Sequence, residues 1–444
     1  MLSKKKHWIS VLSVCLTFSV YAEEDKPLPD PLSLEQALQM IDEDHPALMK
    51  ARLDGLYADT DLQSSMANNS VRVDLDGRLR WTDPQKKYPI TDDPEDHRLR
   101  LVVSKPLYDG GFSSANIQAA KLSGASADID YAYIRNRYSI TVMQQFFDII
   151  LADLQTSRET EAMATAFVRL DRAQDNQELG RVSDIDVLEL ESAYQAVRVK
   201  VYNSEGGARK TRQLLALTLN RPGQQPSQIT PPELDVNNRL LPEYDVLLQK
   251  VLLGNPRLEA IKNDIESARA RVVAAKSNSK PRVTALLERA EQTRDYSSAD
   301  EWRVGVEMSM PLYDGGLTQA AVRRTQLDVS KLIFQRQEYE LELRSQVREL
   351  AERFRVLNAE RDANLAFTDY RELYMDRSRA LYDLEVKTDL GDSMIQISEA
   401  HLRDARQQFE MALLIAQLNL LAGEPIIKWD ALTTRKTEPG GNGS

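Results

Sequence analysis

Polar and apolar residues alternate with a period of two along four short segments of this chain. This pattern predicts β-strands near residues 71–82, 97–105, 281–292 and 301–310. In each segment one face carries mainly Val, Leu, Met or Trp, and the other face carries Arg, Asp or Glu. About ten residues is also the length that a tilted strand needs to cross a lipid bilayer.

The rest of the pattern is helical and unusually long. No proline interrupts residues 112–180 or 317–383, and each stretch would extend about 100 Å as one helix. Apolar residues with an alternating spacing of three and four predict a coiled-coil seam in both stretches. The seam residues are Ile140, Met143, Phe147, Ile150, Leu154, and Leu343, Val347, Leu350, Phe354, Leu357. Shorter helices are expected at 33–68, 183–219, 244–279 and 392–422.

The hexapeptide Pro-Leu-Tyr-Asp-Gly-Gly occurs twice, each time between a predicted strand and a long helix. Such a repeat indicates a duplicated structural unit. We expect a first repeat over 23–220, a linker over 221–241 and a second repeat over 242–432. Residues 433–444 are rich in Thr, Gly and Pro, which predicts a disordered tail.

The hexapeptide combines three kinds of residue suited to a strand-to-helix junction. Proline cannot donate a ladder hydrogen bond and is expected to end a strand, tyrosine suits a membrane interface, and paired glycines allow a sharp turn. The residues are Pro106, Tyr108, Gly110, Gly111, and Pro311, Tyr313, Gly315, Gly316. A phosphate-binding loop is the alternative, but no Lys-Ser or Lys-Thr follows as that motif requires.

The first 22 residues predict a signal peptide. Lys4, Lys5 and Lys6 precede an apolar stretch over 8–20, and Ala22 is an acceptable cleavage position. The alternative is a lipoprotein signal with Cys15 as the lipidated residue. If residues 1–22 are removed, the mature chain contains no cysteine, because Cys15 is the only one.

The chain is acidic, and its charge and hydropathy narrow the classes of function. Removal of the three signal lysines takes the formal charge from −11 to −14, which argues against a nucleic-acid partner. Beyond the signal there is no apolar stretch of 18 residues, so a membrane could be crossed only by a β-barrel. Four strands cannot close a barrel, so several chains would have to share one. Two ordinary surface hairpins are the alternative.

The signal peptide, the paired hexapeptides and the duplicated helical hairpins together resemble a TolC-like outer membrane factor of the outer membrane efflux protein family. The resemblance covers nearly all of the mature sequence. It implies a mainly α fold with β, in which duplicated long helical hairpins form an α-barrel. It also implies a homotrimer in which four strands per chain contribute to a 12-stranded transmembrane β-barrel.

The same resemblance implies an outer membrane channel that extends into the periplasm. Such a channel is the passive exit duct of a tripartite efflux pump or a type I secretion system. Its partners would be a periplasmic adaptor protein, an inner-membrane transporter and outer membrane lipid. No catalytic residue, cofactor or metal ligand is expected, because His45, His97 and His401 lack a metal-ligand spacing.

The distal helix tips are expected at residues 179–184 and 386–392, and the resemblance implies that they meet the adaptor. The adaptor-facing candidates are Gly180, Arg181, Ser183, Asp184, Lys387 and Thr388. The resemblance also implies an acidic ring at the closed pore entrance, with Asp389 and Asp392 as candidates. Ile395 stands where a second ring of Asp could occur. Alternatively, Asp184 and Asp392 are helix N-caps, and both interpretations could hold.

A second class of function stays open on the sequence alone. A periplasmic coiled-coil adaptor or scaffold without a membrane barrel would also contain long helical hairpins. Such an adaptor is expected to carry a lipoyl-like domain of short Gly-rich strands between its helical arms, and no such segment is visible.

Overall fold

The structure is a computed structural model of the chain. It describes residues 27–81, 95–237, 239–293, 301–384 and 390–435. The predicted signal peptide lies outside the described residues, as does the predicted tail from residue 436 onward.

The described residues form two copies of one unit. The first copy contains α1 (Leu34–Gln39), α2 (Pro46–Ala67), β1 (Arg72–Arg78), β2 (Arg98–Tyr108), α3 (Phe112–Glu178) and α4 (Asp184–Thr218). After β3 (Arg239–Leu240), the second copy contains α5 (Tyr244–Gly254), α6 (Pro256–Ser277), β4 (Arg282–Gln292), β5 (Trp302–Ser309), α7 (Leu317–Asp383) and α8 (Leu390–Ala422), and β6 (Thr434–Arg435) follows. The two predicted long helices are confirmed, since α3 and α7 have 67 residues each.

Two of the shorter predicted helices are interrupted. The expected helix over 33–68 divides into α1 and α2, and the one over 244–279 divides into α5 and α6. Pro46 and Pro256 each begin the second piece, because proline lacks the N–H that would continue the helix before it. The preceding side chain caps each new helix: His45 Nδ1 accepts from Ala47 N at 3.2 Å, and Asn255 Oδ1 accepts from Leu258 N at 3.0 Å.

Four strands form one antiparallel sheet in the order β1-β2-β4-β5. The pairing of β2 with β4 joins the two copies, and β1 and β5 lie at the edges. The outer side of each edge strand has no partner strand among the described residues.

The two prolines of the hexapeptides behave differently. Pro106 lies inside β2, and the register shifts between Pro106 and Tyr108. The prediction that Pro106 ends its strand is therefore wrong, because an irregularity in the ladder accommodates a residue that has no N–H. In the second copy, β5 ends at Ser309, before Pro311.

The predicted contrast between the two faces of the sheet is confirmed. On one face apolar side chains are left exposed by the described residues, with Val304 82% and Leu75 68% exposed. On the opposite face Arg100 Nη2 lies 2.9 Å from Asp76 Oδ2, and Arg98 Nη2 lies 2.8 Å from Glu288 Oε1. The sheet therefore separates a mainly apolar surface from a mainly charged one.

The helices pack side by side around the predicted seams. α3 packs against α2 and α6 along one part of its length and against α4 and α8 along another, and α7 packs against α6 and α8. The seam residues are buried or half-buried in one hydrophobic core. At its centre the rings of Phe147 and Phe409 stack, with centroids 4.4 Å apart and an interplanar angle of 4°.

A small second sheet ties the end of the described chain to the linker between the repeats. Within it β3 pairs with β6, Arg239 opposite Arg435 and Leu240 opposite Thr434. Thr433 is 3% exposed. The disordered tail predicted from residue 433 therefore begins too early, because the structure assigns residues 433–435 to this packed region.

None of the described helices combines the length and the apolar character that a membrane-crossing helix needs. Ion pairs join neighbouring helices along their length. In one of them Arg212 Nη2 of α4 lies 2.8 Å from Asp153 Oδ2 of α3.

Candidate functional site

The predicted site residues lie at opposite ends of the long helices. One group forms the junctions between the sheet and the starts of α3 and α7, and the other forms the distal tips. About 100 Å of helix separates them. The two groups are therefore distinct sites.

At both junctions an aspartate of the hexapeptide caps the long helix. Asp109 Oδ1 accepts from Gly111 N at 3.0 Å, and its Oδ2 accepts from Ser113 N at 2.7 Å. Asp314 repeats this geometry with Gly316 N at 3.0 Å and Thr318 N at 2.8 Å. Sequence reasoning missed both aspartates, although an Asp two residues before a helix-starting Gly is a signal for such a turn.

The glycines of the hexapeptides adopt the backbone conformation that the motif predicts. Their φ angles are +68° at Gly110, +92° at Gly111, +66° at Gly315 and +89° at Gly316. These are left-handed values that other residues rarely adopt. The paired glycines thus make the sharp turn that directs the chain from the sheet into the helix.

The capping carboxylates are held in their charged form. Hydrogen bonds from the Thr318 side chain and backbone, and from the Gly316 N–H, lower the pKa of Asp314. At Asp109 burial acts to raise the pKa, but hydrogen bonds from Ser113 and Gly111 outweigh it and the pKa is lowered. The positive end of the helix dipole also stabilises a negative charge at this position.

The two junctions differ in what surrounds them. The Gly110 carbonyl accepts from Lys280 Nζ at 2.9 Å and from Ser277 Oγ at 3.0 Å, so α6 covers the first junction. At the second junction a Cβ on Gly315 would meet nothing within 4 Å, and Tyr313 is 90% exposed. The described chain therefore leaves the second junction open.

The tip between α3 and α4 is a compact turn. Gly180 N donates to Gln177 O and Arg181 N donates to Asn176 O, both at 2.8 Å, which ends α3 in a left-handed glycine turn. Ser183 is the N-cap of α4, with its hydroxyl accepting from Asp186 N. Asp184 is the first helical residue, so the interpretation of Asp184 as the N-cap is wrong.

Asp392 lies in the first turn of α8. Because α8 begins at Leu390, Asp392 is inside the helix and is not its N-cap. Its carboxylate forms an ion pair with Arg169 of α3, and both side chains are 52% exposed. Sequence reasoning missed Arg169, which is 223 residues away along the chain.

Two further contacts join the first three turns of α8 to α3, and Gly391 packs closely there. Arg158 Nε lies 2.9 Å from Glu399 Oε2, and Ser398 Oγ donates to Glu161 Oε2 at 2.5 Å. A Cβ on Gly391 would lie 2.6 Å from Thr165 Oγ1, so Gly391 lies directly against the Thr165 side chain. The predicted residues Lys387, Thr388 and Asp389 lie outside the described residues.

Comparisons with known proteins identify relatives of this fold. A family model described as outer membrane efflux protein matches residues 247–384, from α5 through α7. A comparison with curated proteins found no match.

Several solved structures share the architecture of almost the whole chain. The CmeC outer membrane channel of Campylobacter jejuni matches with a TM-score of 0.72 and 13% identity, covering 95% of this chain and 94% of that one. The outer membrane protein VceC of Vibrio cholerae matches with a TM-score of 0.67 and 14% identity, covering 88% of this chain and 96% of that one. The MtrE outer membrane channel of Neisseria gonorrhoeae, in its open state, matches with a TM-score of 0.63 and 15% identity, covering 88% of this chain and 89% of that one.

These likenesses confirm the predicted fold class, mainly α with β and built on long helical hairpins. At such low identities they establish the fold alone, and the family model adds a sequence match over residues 247–384. Residues 247–384 match the outer membrane efflux protein family, and the fold of almost the whole chain is similar to that of solved outer membrane channels.

Proposed function

We propose that this protein is an outer membrane exit duct of a tripartite efflux pump or a type I secretion system. The observation that carries the proposal is the sheet with one uncovered apolar face and one charged face, continued by helices about 100 Å long. The apolar face suits lipid and the charged face suits a water-filled passage. Relatives of the same fold include outer membrane channels.

The duct requires more than one copy of the chain. In lipid, the unpaired backbone groups along β1 and β5 would each cost several kcal/mol. Three copies with four strands each would close a barrel of 12 strands, and the helices would continue it as a tunnel into the periplasm. A homotrimer is therefore the assembly that we propose.

Transport through the duct would be passive. Opening would occur at the distal tips, where α8 separates from α3 when an adaptor engages the helix ends. The residues proposed to meet the adaptor are Gly180, Arg181, Ser183, Asp184, Lys387 and Thr388. Asp389 and Asp392 stay proposed as the acidic ring of the entrance, and Asp392 also holds the tip through Arg169.

The proposal is tested by the native mass and conductance of the mature protein extracted from the outer membrane fraction in detergent. A trimer that forms channels in planar bilayers would support the duct. A soluble or inner-membrane-associated monomer or dimer without conductance would instead support the alternative, a periplasmic coiled-coil scaffold.

The tip ion pair gives a prediction that is specific to this chain. Arg169→Ala is expected to raise the single-channel conductance, because it releases one contact that holds α8 against α3. Since the pair is half-exposed, its effect on stability should stay below about 1 kcal/mol. Arg269→Ala is the matched control, because it breaks an ion pair of similar exposure within α6. Equal conductance of Arg169→Ala and wild type would remove the pair from the gate.

The two roles proposed for Asp392 can be separated by cation block. Arg169→Ala leaves the carboxylate in place, so block of the pore by divalent cations should persist. Asp392→Ala removes both the ion pair and the carboxylate, so conductance should rise and cation block should fall. Unchanged block in the Asp392 variant would exclude this residue from the acidic ring.

A further inference from the structure

We propose that β5 of one copy pairs with β1 of the next in a fixed register, which sets Glu307 opposite Arg78 as an ion pair between copies. The proposal rests on the proposed function, since it specifies how the copies of the duct join. It is derived from the internal duplication, because the pair β2–β4 inside the chain is the counterpart of the pair β5–β1 between chains.

The duplication preserves strand register residue by residue. In the first hairpin Val73 lies opposite Val103, and in the second Val283 lies opposite Met308. The first members of these pairs are 210 positions apart and the second members 205 positions apart. The two hairpins therefore superimpose with no slip, and the same offsets convert a position in one copy into its counterpart in the other.

Those offsets convert the internal junction into a junction between chains. Inside the chain Val102 of β2 lies opposite Glu288 of β4. Adding 205 to the first position gives Glu307 of β5, and subtracting 210 from the second gives Arg78 of β1. By the same conversion Met308 lies opposite Gly77, and Ser309 lies opposite Asp76.

The charges at the converted positions are complementary. Arg78 and Glu307 are both exposed and both lie on the charged face of the sheet, since Arg78 is opposite Arg98 and Glu307 is opposite Thr284. Neither makes an ion pair within the part of the chain that the structure describes, whereas Arg98 is paired with Glu288. Opposite charges directly across neighbouring strands stabilise a sheet.

The open second junction fits the same register. Ser277 and Lys280, which cover Gly110 inside the chain, convert to Ala67 and Ser70 at the end of α2. At Gly315, the counterpart of Gly110, an added Cβ would meet no atom of the described residues within 4 Å. The end of α2 from the next copy would therefore cover the second junction.

The helix before β1 and the helix after β5 also expose large aromatic side chains. Tyr57 of α2 is 69% exposed and Phe334 of α7 is 67% exposed. Because the β1 edge and the β5 edge are different surfaces, the contact is head-to-tail, and such contacts form a ring when the rotation between copies closes.

Disulfide cross-linking tests the register directly. The only cysteine of the chain, Cys15, lies in the predicted signal peptide, so introduced cysteines would be the only thiols of the mature protein. Oxidation of the R78C/E307C variant in outer membranes is expected to give covalent multimers up to the trimer. V103C/L287C is the internal control, since its positions are paired within one chain and its product should migrate as a monomer.

A slipped register is tested by D76C/E307C. In the proposed register these positions are diagonal neighbours about 7–8 Å apart, so this variant should cross-link weakly. Strong multimers from D76C/E307C and none from R78C/E307C, in a protein that is trimeric and conducting, would overturn the register while the duct stands. A monomeric wild-type protein without conductance would overturn the duct itself.

Charge exchange provides a second readout. Arg78→Glu and Glu307→Arg are each expected to lower the temperature at which the trimer dissociates, through like charges at the contact. The double variant Arg78→Glu/Glu307→Arg restores the pair and should recover most of that temperature. If the dissociation temperature of the double variant falls by the sum of the two single decreases, the contact between Arg78 and Glu307 is contradicted.

Discussion

Phe147→Ala is expected to lower the free energy of unfolding by about 3–5 kcal/mol, the range for removing a buried aromatic ring. Phe147 is 1% exposed, and its ring stacks on Phe409 with a centroid distance of 4.4 Å. The pair joins α3 of the first repeat to α8 of the second. Loss of the ring would leave a cavity between helices that rely on this contact to stay together.

The measurement is thermal unfolding of the purified protein, followed by far-ultraviolet circular dichroism. Phe167→Ala is the control, because it removes the same atoms from a ring that is 51% exposed. We expect a much smaller shift in its unfolding temperature. Similar shifts for both variants would mean that the Phe147–Phe409 stack is not a centre of the core.

Gly254→Ala and Gly423→Ala are expected to impair folding severely. A Cβ on Gly254 would lie 2.3 Å from the Ala422 carbonyl oxygen, and one on Gly423 would lie 2.4 Å from the Gly254 carbonyl oxygen. Backbone atoms cannot rotate away as a side chain can, so the ends of α5 and α8 would have to separate. Such overpacking costs about 1–3 kcal/mol. Gly423 also has φ +73°, which adds about 1–2 kcal/mol for alanine.

The measurements are the yield of folded protein in the outer membrane fraction and its unfolding temperature. Gly124→Ala is the matched control, since Gly124 lies inside α3 and a Cβ there would meet nothing within 4 Å. Because alanine favours a helix by about 1 kcal/mol over glycine, this variant should be as stable as wild type or more so. Equal yields of all three variants would contradict the close approach of α5 to α8.

The strands and long helices could be predicted because their signals are local. A period of two marks β1 and β5, and the spacing of three and four marks the buried seam from Ile140 to Leu154. The repeated hexapeptide located both junctions. Local signals were less reliable at proline, which can either end an element or be accommodated within it. Pro106 lies inside a strand that it was expected to end, and Pro46 divides a helix that was expected to be continuous.

The element types, the duplication and the positions of the junction glycines can be read from the chain, because they depend on neighbouring residues. Which distant residues meet depends on the packing of the folded protein. Arg169 reaches Asp392 across 223 positions, and Lys280 covers Gly110 across 170 positions. The register of β2 on β4 was decided there too. Such contacts depend on how helices and strands from the two repeats pack, and no periodicity within one segment specifies that packing.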